Sequence, residues 1–145
     1  MAKASIIVLI LMSSTAMAEQ VNPKDVEVGD GDTVVYKSNS YRLIGMDTPE
    51  FYNRWRRVKL SEKRHALKAA DRLIELMNNA TIVNLLEVPC NCAPGTYGTY
   101  KCNYGRKCGA ILVDGKNVTG ILISEGLARS DVCDQFRCIK GPKTW

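Results

Sequence analysis

The sequence predicts an α+β fold, mainly β, built around a small curled antiparallel sheet. Two observations carry that class. Short β-branched and aromatic runs bounded by turn residues outnumber the stretches with helical spacing. These runs also follow one another as hairpins instead of alternating with helices.

In chain order, Val21 to Val28 is a mixed opening segment. "TVVYKSNSYRLIG" reads as a hairpin about a polar turn between Lys37 and Ser40. From Ser61 to Met77, the apolar residues Ala66, Leu67, Ala70, Leu73, Ile74 and Met77 recur at three and four, the spacing of an amphipathic helix. "ATIVNLLEV" is a further strand, and "GAILVDGKNV" is another that ends in an Asp114-Gly115 turn. "VTGILISEGLA" reads as a short helix closed by Gly126.

The chain opens with "MAKASIIVLILMSSTAMAEQ". Lys3, an apolar run from Ile6 to Met12 and the small-x-small series Ala16-Met17-Ala18 are ordered as in a secretory leader cut after Ala18. The apolar run is too short to span a bilayer. Export to a periplasmic or extracellular space is therefore expected, leaving residues 19–145 as a single domain that needs no membrane and works as a monomer. Losing Lys3 takes the net charge from +5 to +4, a mild bias that permits a polyanion partner without demanding one.

All six cysteines, Cys90, Cys92, Cys102, Cys108, Cys133 and Cys138, fall after the leader. An even number in an exported chain implies up to three disulfides. Zinc held by Cys90, Cys92, Cys102 and Cys108 is the rival, disfavoured by oxidising export and irregular spacing. Neighbours as close as Cys90 and Cys92 are expected to reach different partners.

"YRLIGMDTPE" (Tyr41 to Glu50) crowds an arginine, a threonine and two acids around a proline. Alone, Asp47-Thr48-Pro49-Glu50 reads as a helix start, with a capping oxygen and an acid in the first turn. The preceding hairpin suggests more. A turn at Ser38 and Asn39 would set Asp32 opposite Gly45, with Asp47 just past the same open end. Two carboxylates that close repel each other unless a hard divalent cation lies between them, and calcium accepts such oxygens. Strict alternation puts Arg42 and Asp47 on opposite faces, so the strand must bend or bulge, with Gly45 the expected place.

"DGDT" (Asp30 to Thr33), "RLIGMDTPE" (Arg42 to Glu50) and "YGR" (Tyr104 to Arg106) stand in the order seen in the thermonuclease family, the micrococcal or staphylococcal-type nucleases. "AILVDGKNVTGILISEGLA" also resembles that family's last strand and second helix, so the resemblance runs from about Asp30 to Ala128. It implies an OB-fold, a five-stranded Greek-key barrel with two helices. It also implies calcium-dependent hydrolysis of DNA or RNA phosphodiesters to 3′-phosphates. By position, Asp32 and Asp47 would bind Ca2+ through carboxylates and Thr48 through its carbonyl. Glu50 would activate water, Arg42 and Arg106 would hold the scissile phosphate, and Tyr104 would contact a substrate phosphate.

The residue types suit that chemistry. Two guanidinium forks and a cation neutralise the charge that grows on the non-bridging oxygens. A carboxylate beside the water orients it and takes its proton. The lone histidine, His65, is expected to be an exposed helix residue.

The chain departs from the family in three places. Cys102 and Asn103 precede the YGR where charged residues are usual, and the Cys90 to Lys101 loop is expanded. Arg129, Val132, Cys133 and Asp134 stand where the family places stacking tyrosines. A short tail to Trp145, pinned through Cys133 or Cys138, replaces a long third helix. "NRWRRVKLSEKR" adds Arg54, Arg56, Arg57, Lys59, Lys63 and Arg64 around Trp55, either a phosphate track with one stacking platform or a solvated charge run. A non-catalytic nucleic-acid-binding OB module is the alternative function, and a disulfide-rich structural protein the third. Cleavage of DNA in a gel with calcium, then with chelator, separates them.

Overall fold

A computed structural model describes residues 17–145; the expected leader, Met1 to Ala18, lies almost wholly outside the described residues. The chain forms β1 (Ala18–Gln20), β2 (Val26–Asp30), β3 (Thr33–Tyr36), β4 (Asn39–Leu43), β5 (Gly45–Asp47), α1 (Leu60–Asn79) and β6 (Val83–Val88). It continues through β7 (Lys107–Val113), β8 (Lys116–Asn117), α2 (Val118–Ser124), β9 (Arg129–Cys133) and β10 (Cys138–Lys140). Strands dominate, as the class requires. No helix among the described residues follows Ser124.

The main sheet runs β1-β6-β7-β4-β3-β2, with β8 paired to β7. β1 and β2 are two halves of one opening strand, bent at the short helical turn Pro23–Asp25. One half pairs with β6 and the other with β3, so both edges of the sheet end on the same stretch of chain. Counted that way the barrel has five strands, the OB-fold arrangement. The pairing β4–β7 is parallel, a departure from the expected all-antiparallel sheet. A parallel pair needs a long crossover, and α1 lies on the path from β4 to β7.

The hairpin turn falls at Lys37 and Ser38, both with positive φ (48° and 62°), which matches the twist of the flanking strands. Asn39, expected in the turn, starts β4 and donates from Nδ2 to Lys37 O at 3.0 Å. Asp32 therefore lies opposite Leu43, whose N–H donates to Asp32 O at 2.8 Å, and not opposite Gly45. The slip is two residues. Since side chains alternate with period two, it leaves every residue on its expected face.

The bend falls where expected. Gly45 has φ 84°, a conformation that glycine adopts without strain. β5 leaves the barrel there to join a second sheet, β10-β9-β5. Asp47-Thr48-Pro49-Glu50 caps no helix, since α1 starts only at Leu60.

The core gathers Val34 and Leu43 from the hairpin, Leu73 and Met77 from α1, Ile111 from β7 and Leu122 from α2. α1 buries Ala66, Ala69, Ala70, Leu73 and Met77. Leu67 and Ile74, expected on that face, are 50% and 40% exposed. The alanines explain it: small side chains let α1 approach the barrel closely, so the buried stripe is narrow and its flanks stay wet.

Gly31, in the DGDT turn, sits under α1. A Cβ there would lie 2.8 Å from Ala69 Cβ and 2.8 Å from Thr48 Cγ2. Gly31→Ala should therefore cost about 1–3 kcal/mol by overpacking. A urea midpoint equal to the parent's would show that this contact gives way freely.

Candidate active site

The site forms where the two sheets part. Asp30 ends β2, Asp32 lies in the turn to β3, Arg42 is near the end of β4, and Asp47 ends β5 after the Gly45 bend. β9 brings Arg129 and Asp131 alongside β5, with Asp47 opposite Arg129 and Gly45 opposite Asp131. β10 adds Lys140, opposite Asp131 on β9.

Arg42 is the hub. Its Nη1 contacts Asp32 Oδ2, and its Nη2 lies 3.5 Å from Asp47 Oδ1 and 3.4 Å from Asp131 Oδ2. Burial works against the guanidinium's charge, but Asp32, Asp47 and Asp131 outweigh it and hold Arg42 above its ordinary value. Arg129 donates from Nε to Asp47 Oδ2 at 2.8 Å, and Lys140 Nζ lies 3.2 Å from the same oxygen. Burial favours the neutral acid at Asp47, yet Arg129 and Lys140 keep its carboxyl below the usual range.

Asp32 also accepts the backbone N–H of Thr48 at 2.8 Å, joining the first hairpin to the segment after β5. Thr48 is buried. Asp30 is the least compensated acid. Its Oδ1 is buried without a hydrogen-bond partner. Burial and the neighbouring Asp32 push its carboxyl up to about 6, against some help from the Thr33 hydroxyl.

Glu50 lies on the irregular stretch after β5, half-buried, and accepts from Asn53 Nδ2 at 3.1 Å through Oε2. Arg106 precedes β7. It donates from Nε to Asn103 O at 3.0 Å and from Nη1 to the Thr33 hydroxyl at 2.9 Å. Burial and the Arg42 charge hold Arg106 below its ordinary value. Asn103, Tyr104 and Gly105 are all left-handed, with φ 49°, 58° and 81°, a run that turns the chain just ahead of Arg106 and whose strain falls on the two non-glycine residues. The Arg106 guanidinium lies 5.8 Å from the Tyr104 ring centre.

Disulfides hold that turn. Cys90–Cys108 and Cys92–Cys102 clamp the expanded loop on both sides of Arg106, and Cys133–Cys138 closes the β9–β10 hairpin. Cys90 and Cys92 reach different partners, as their spacing suggested. The tail cysteines bond each other, so their bridge closes a hairpin instead of tying the tail to the barrel. The one group of three potential ligand side chains gathered within 4.8 Å among the described residues is Asp131, Cys133 and Cys138, and its two sulfurs are already bonded together.

Asp32, Arg42, Asp47, Glu50, Tyr104 and Arg106 all line one groove of about 1230 Å³, and Thr48 lies behind them. Sequence reasoning missed Asp30, Arg129, Asp131 and Lys140. Asp30 was in view as the first letter of DGDT; the other three depend on β9 pairing with β5, which no local pattern announces. The basic run divides. Arg56 pairs with Glu62 at 2.6 Å, while Arg54 and Trp55 line the groove. His65 is spent on its own helix, with Nδ1 2.9 Å from Ser61 O.

A closed barrel with acids and guanidiniums gathered in its groove defines an OB-fold protein with a charged cleft. The profile described as staphylococcal nuclease homologue matches residues 40–138, and the chain belongs to that family. Comparison with curated proteins gave no match.

Two outcomes follow from this geometry. Labelling of the unfolded, unreduced protein should find no free thiol, and six free thiols would contradict the three bridges. Asp30 gives a pH signature in chelator. Its folded value lies above the ordinary 3.8, so the folded state retains a proton that the unfolded chain releases first. The Asp30 contribution to stability should therefore fall as pH rises from about 4 towards 6, against the gain from carboxyls such as Asp47 that are held below their ordinary value, and Asp30→Asn should remove that loss. An unchanged slope in the variant would assign it to another group.

Proposed function

We propose that this chain is an exported, calcium-dependent nuclease that hydrolyses phosphodiester bonds of DNA or RNA and leaves 3′-phosphates. The observation that carries the reading is the meeting of Asp32, Asp47, Glu50, Arg42 and Arg106 in one groove of a staphylococcal nuclease homologue. Three disulfides favour an oxidising compartment and hence export.

The donor set fits calcium. Asp30, Asp32 and Asp47 present only oxygen, and the unpartnered, buried Asp30 Oδ1 is an acceptor in need of a cation. Asp32, Asp47 and the Thr48 carbonyl would hold the ion. When bound, calcium supplies positive charge against the phosphate oxygens as their negative charge grows.

The chain's own residues do the rest. Arg42 and Arg106 present guanidinium forks to the scissile phosphate and stabilise its transition state. Asn53 holds Glu50 Oε2, leaving Oε1 to orient a water and accept its proton. The water oxygen bonds to phosphorus, the bond to the 5′ oxygen breaks, and that oxygen leaves with a proton drawn from solvent. Arg42 is engaged by three carboxylates, so its service to substrate requires Asp32 and Asp47 to turn to the ion and Asp131 to yield its place to the phosphate.

One observation favours a second reading, the non-catalytic binding module: Asp47 is already neutralised by Arg129 and Lys140. A DNA-containing gel assayed with calcium and then with chelator decides. Cleavage with calcium alone supports the nuclease.

Three variants should then fail differently. Glu50→Gln should lose roughly a hundredfold or more in kcat with calcium binding little changed. Asp47→Asn should weaken calcium affinity, with activity partly restored at high calcium. Arg106→Lys should lower turnover with the fold intact, because one charge without the fork no longer matches two phosphate oxygens. Full activity in Glu50→Gln, with calcium still required, would mean that another group activates the water.

A further inference from the structure

β10 adds nothing to the core. Its three residues are exposed, Ile139 by 60%, and among the described residues the buried apolar cluster ends at Ala128. The strand is nevertheless fixed at both ends. Cys138 is bonded to Cys133, and Asp134 N–H donates to Arg137 O at 2.9 Å across the turn. Just past Lys140, Gly141 N–H donates to Ser130 O at 2.8 Å. A Cβ on Gly141 would lie 2.6 Å from Ser130 Oγ, so only glycine allows β10 to approach β9 this closely. A strand anchored in this way, with no core to seal, serves to place a side chain.

Lys140 is the residue it delivers. Its Nζ lies 3.2 Å from Asp47 Oδ2 and 4.0 Å from Asp131 Oδ2, and it forms no other ion pair among the described residues. Three cations of the chain meet at Asp47, and they differ in how firmly they are held. Arg129 reaches Oδ2 through Nη2 at 2.6 Å and Nε at 2.8 Å, and its guanidinium also faces the Trp145 ring. Arg42 is divided among three carboxylates. Both arginines are largely buried, whereas the Lys140 side chain is 41% exposed and its contact is longer. An ammonium is also a compact point charge, the side-chain group nearest in kind to a hard metal ion, while a guanidinium is a broad plane. On Asp47 it neutralises an oxygen of the very carboxylate offered to calcium in the function proposed above.

We propose that Lys140 is a tethered competitor for calcium: its ammonium neutralises Asp47 while the ion is scarce, and the ion must displace it to load. The calcium concentration at which the site fills is thereby raised, and the empty groove keeps its acids matched. A cation tethered to the fold competes at a fixed local concentration, so the calcium level outside decides which of the two holds the carboxylate. The inference deepens the calcium-dependent reading and rests on it for the identity of the ion.

Isothermal titration calorimetry of the intact, disulfide-bonded protein with calcium chloride, at neutral pH and low salt, tests it. Lys140→Met keeps most of the stem and removes the charge, and it should bind calcium roughly three- to tenfold more tightly than the parent. Lys140→Arg restores a cation and should lie closer to the parent than to Lys140→Met. Arg137→Met controls for net charge. Arg137 lines the same groove, and its side chain forms no ion pair among the described residues. That variant should stay within about twofold of the parent. Parent affinity in Lys140→Met, or an equal gain in Arg137→Met, would overturn the inference. No calcium binding by parent or variant would overturn it together with the nuclease reading. Tighter binding in Lys140→Met without cleavage of DNA by either protein supports the competitor and sinks the nuclease alone.

Discussion

The structure turns on one guanidinium. Arg42 belongs to the barrel, Asp32 to the turn below it, and Asp47 and Asp131 to the second sheet, so a single side chain ties the two sheets together. Without Arg42, three acids would face one another in a partly dry groove. Like charges so placed repel, and each would be costly to keep ionised away from water. The same cluster that allows the sheets to meet gathers the groups a phosphodiester requires. Net stability need not come from it, because desolvation of a buried ion cluster consumes most of the attraction. What it confers is register: any other pairing of β5 with β9 would leave the guanidinium or an acid unmatched.

Support for that arrangement comes from covalent bonds. The bridges close loops with sequence separations of 18, 10 and 5. On chain-entropy grounds each is worth about 2–3 kcal/mol, the longest most. The two larger bridges bracket Arg106, whose approach runs through left-handed Asn103 and Tyr104, which would relax if unclamped. The smallest closes the hairpin that carries Lys140 towards Asp47. Beyond it the tail is held by polar and cation–π contacts: Thr144 donates to Gly126 O at 2.7 Å, and Arg129 lies 5.7 Å from the Trp145 ring centre.

Much of this was legible in the residues because it is local. Period two marked β3, β4, β6 and β7, periods three and four marked α1, and Gly45 marked the bend because two polar side chains had to change faces. The turn was misplaced because Asn39 has the stronger intrinsic taste for positive φ, yet Lys37 and Ser38 carry it. The faces still came out right, since a slip of two preserves alternation. Illegible were the contacts made across long separations. Asp131 reaches Arg42 across 89 residues and Arg129 reaches Asp47 across 82. Neither stands in a motif; only the β5–β9 ladder brings them together.

Those long-range partners alter how the acids behave. In the groove Asp47 is held by three cations of the chain itself, one of which, Arg42, also holds Asp32. A divalent ion entering among them must displace ammonium and guanidinium groups that already neutralise the carboxylates, so part of its binding free energy is offset by the contacts it breaks. Those contacts are weak singly, since Lys140 is half in solvent and its attraction is screened. They are strong as a set, because Arg42 and Arg129 are largely buried. The cations so released remain in the groove, facing the place where a phosphate would lie. Under the proposed function, ion loading and phosphate binding would be coupled through shared side chains: a cation would free the guanidiniums, and an anion would give them somewhere to go.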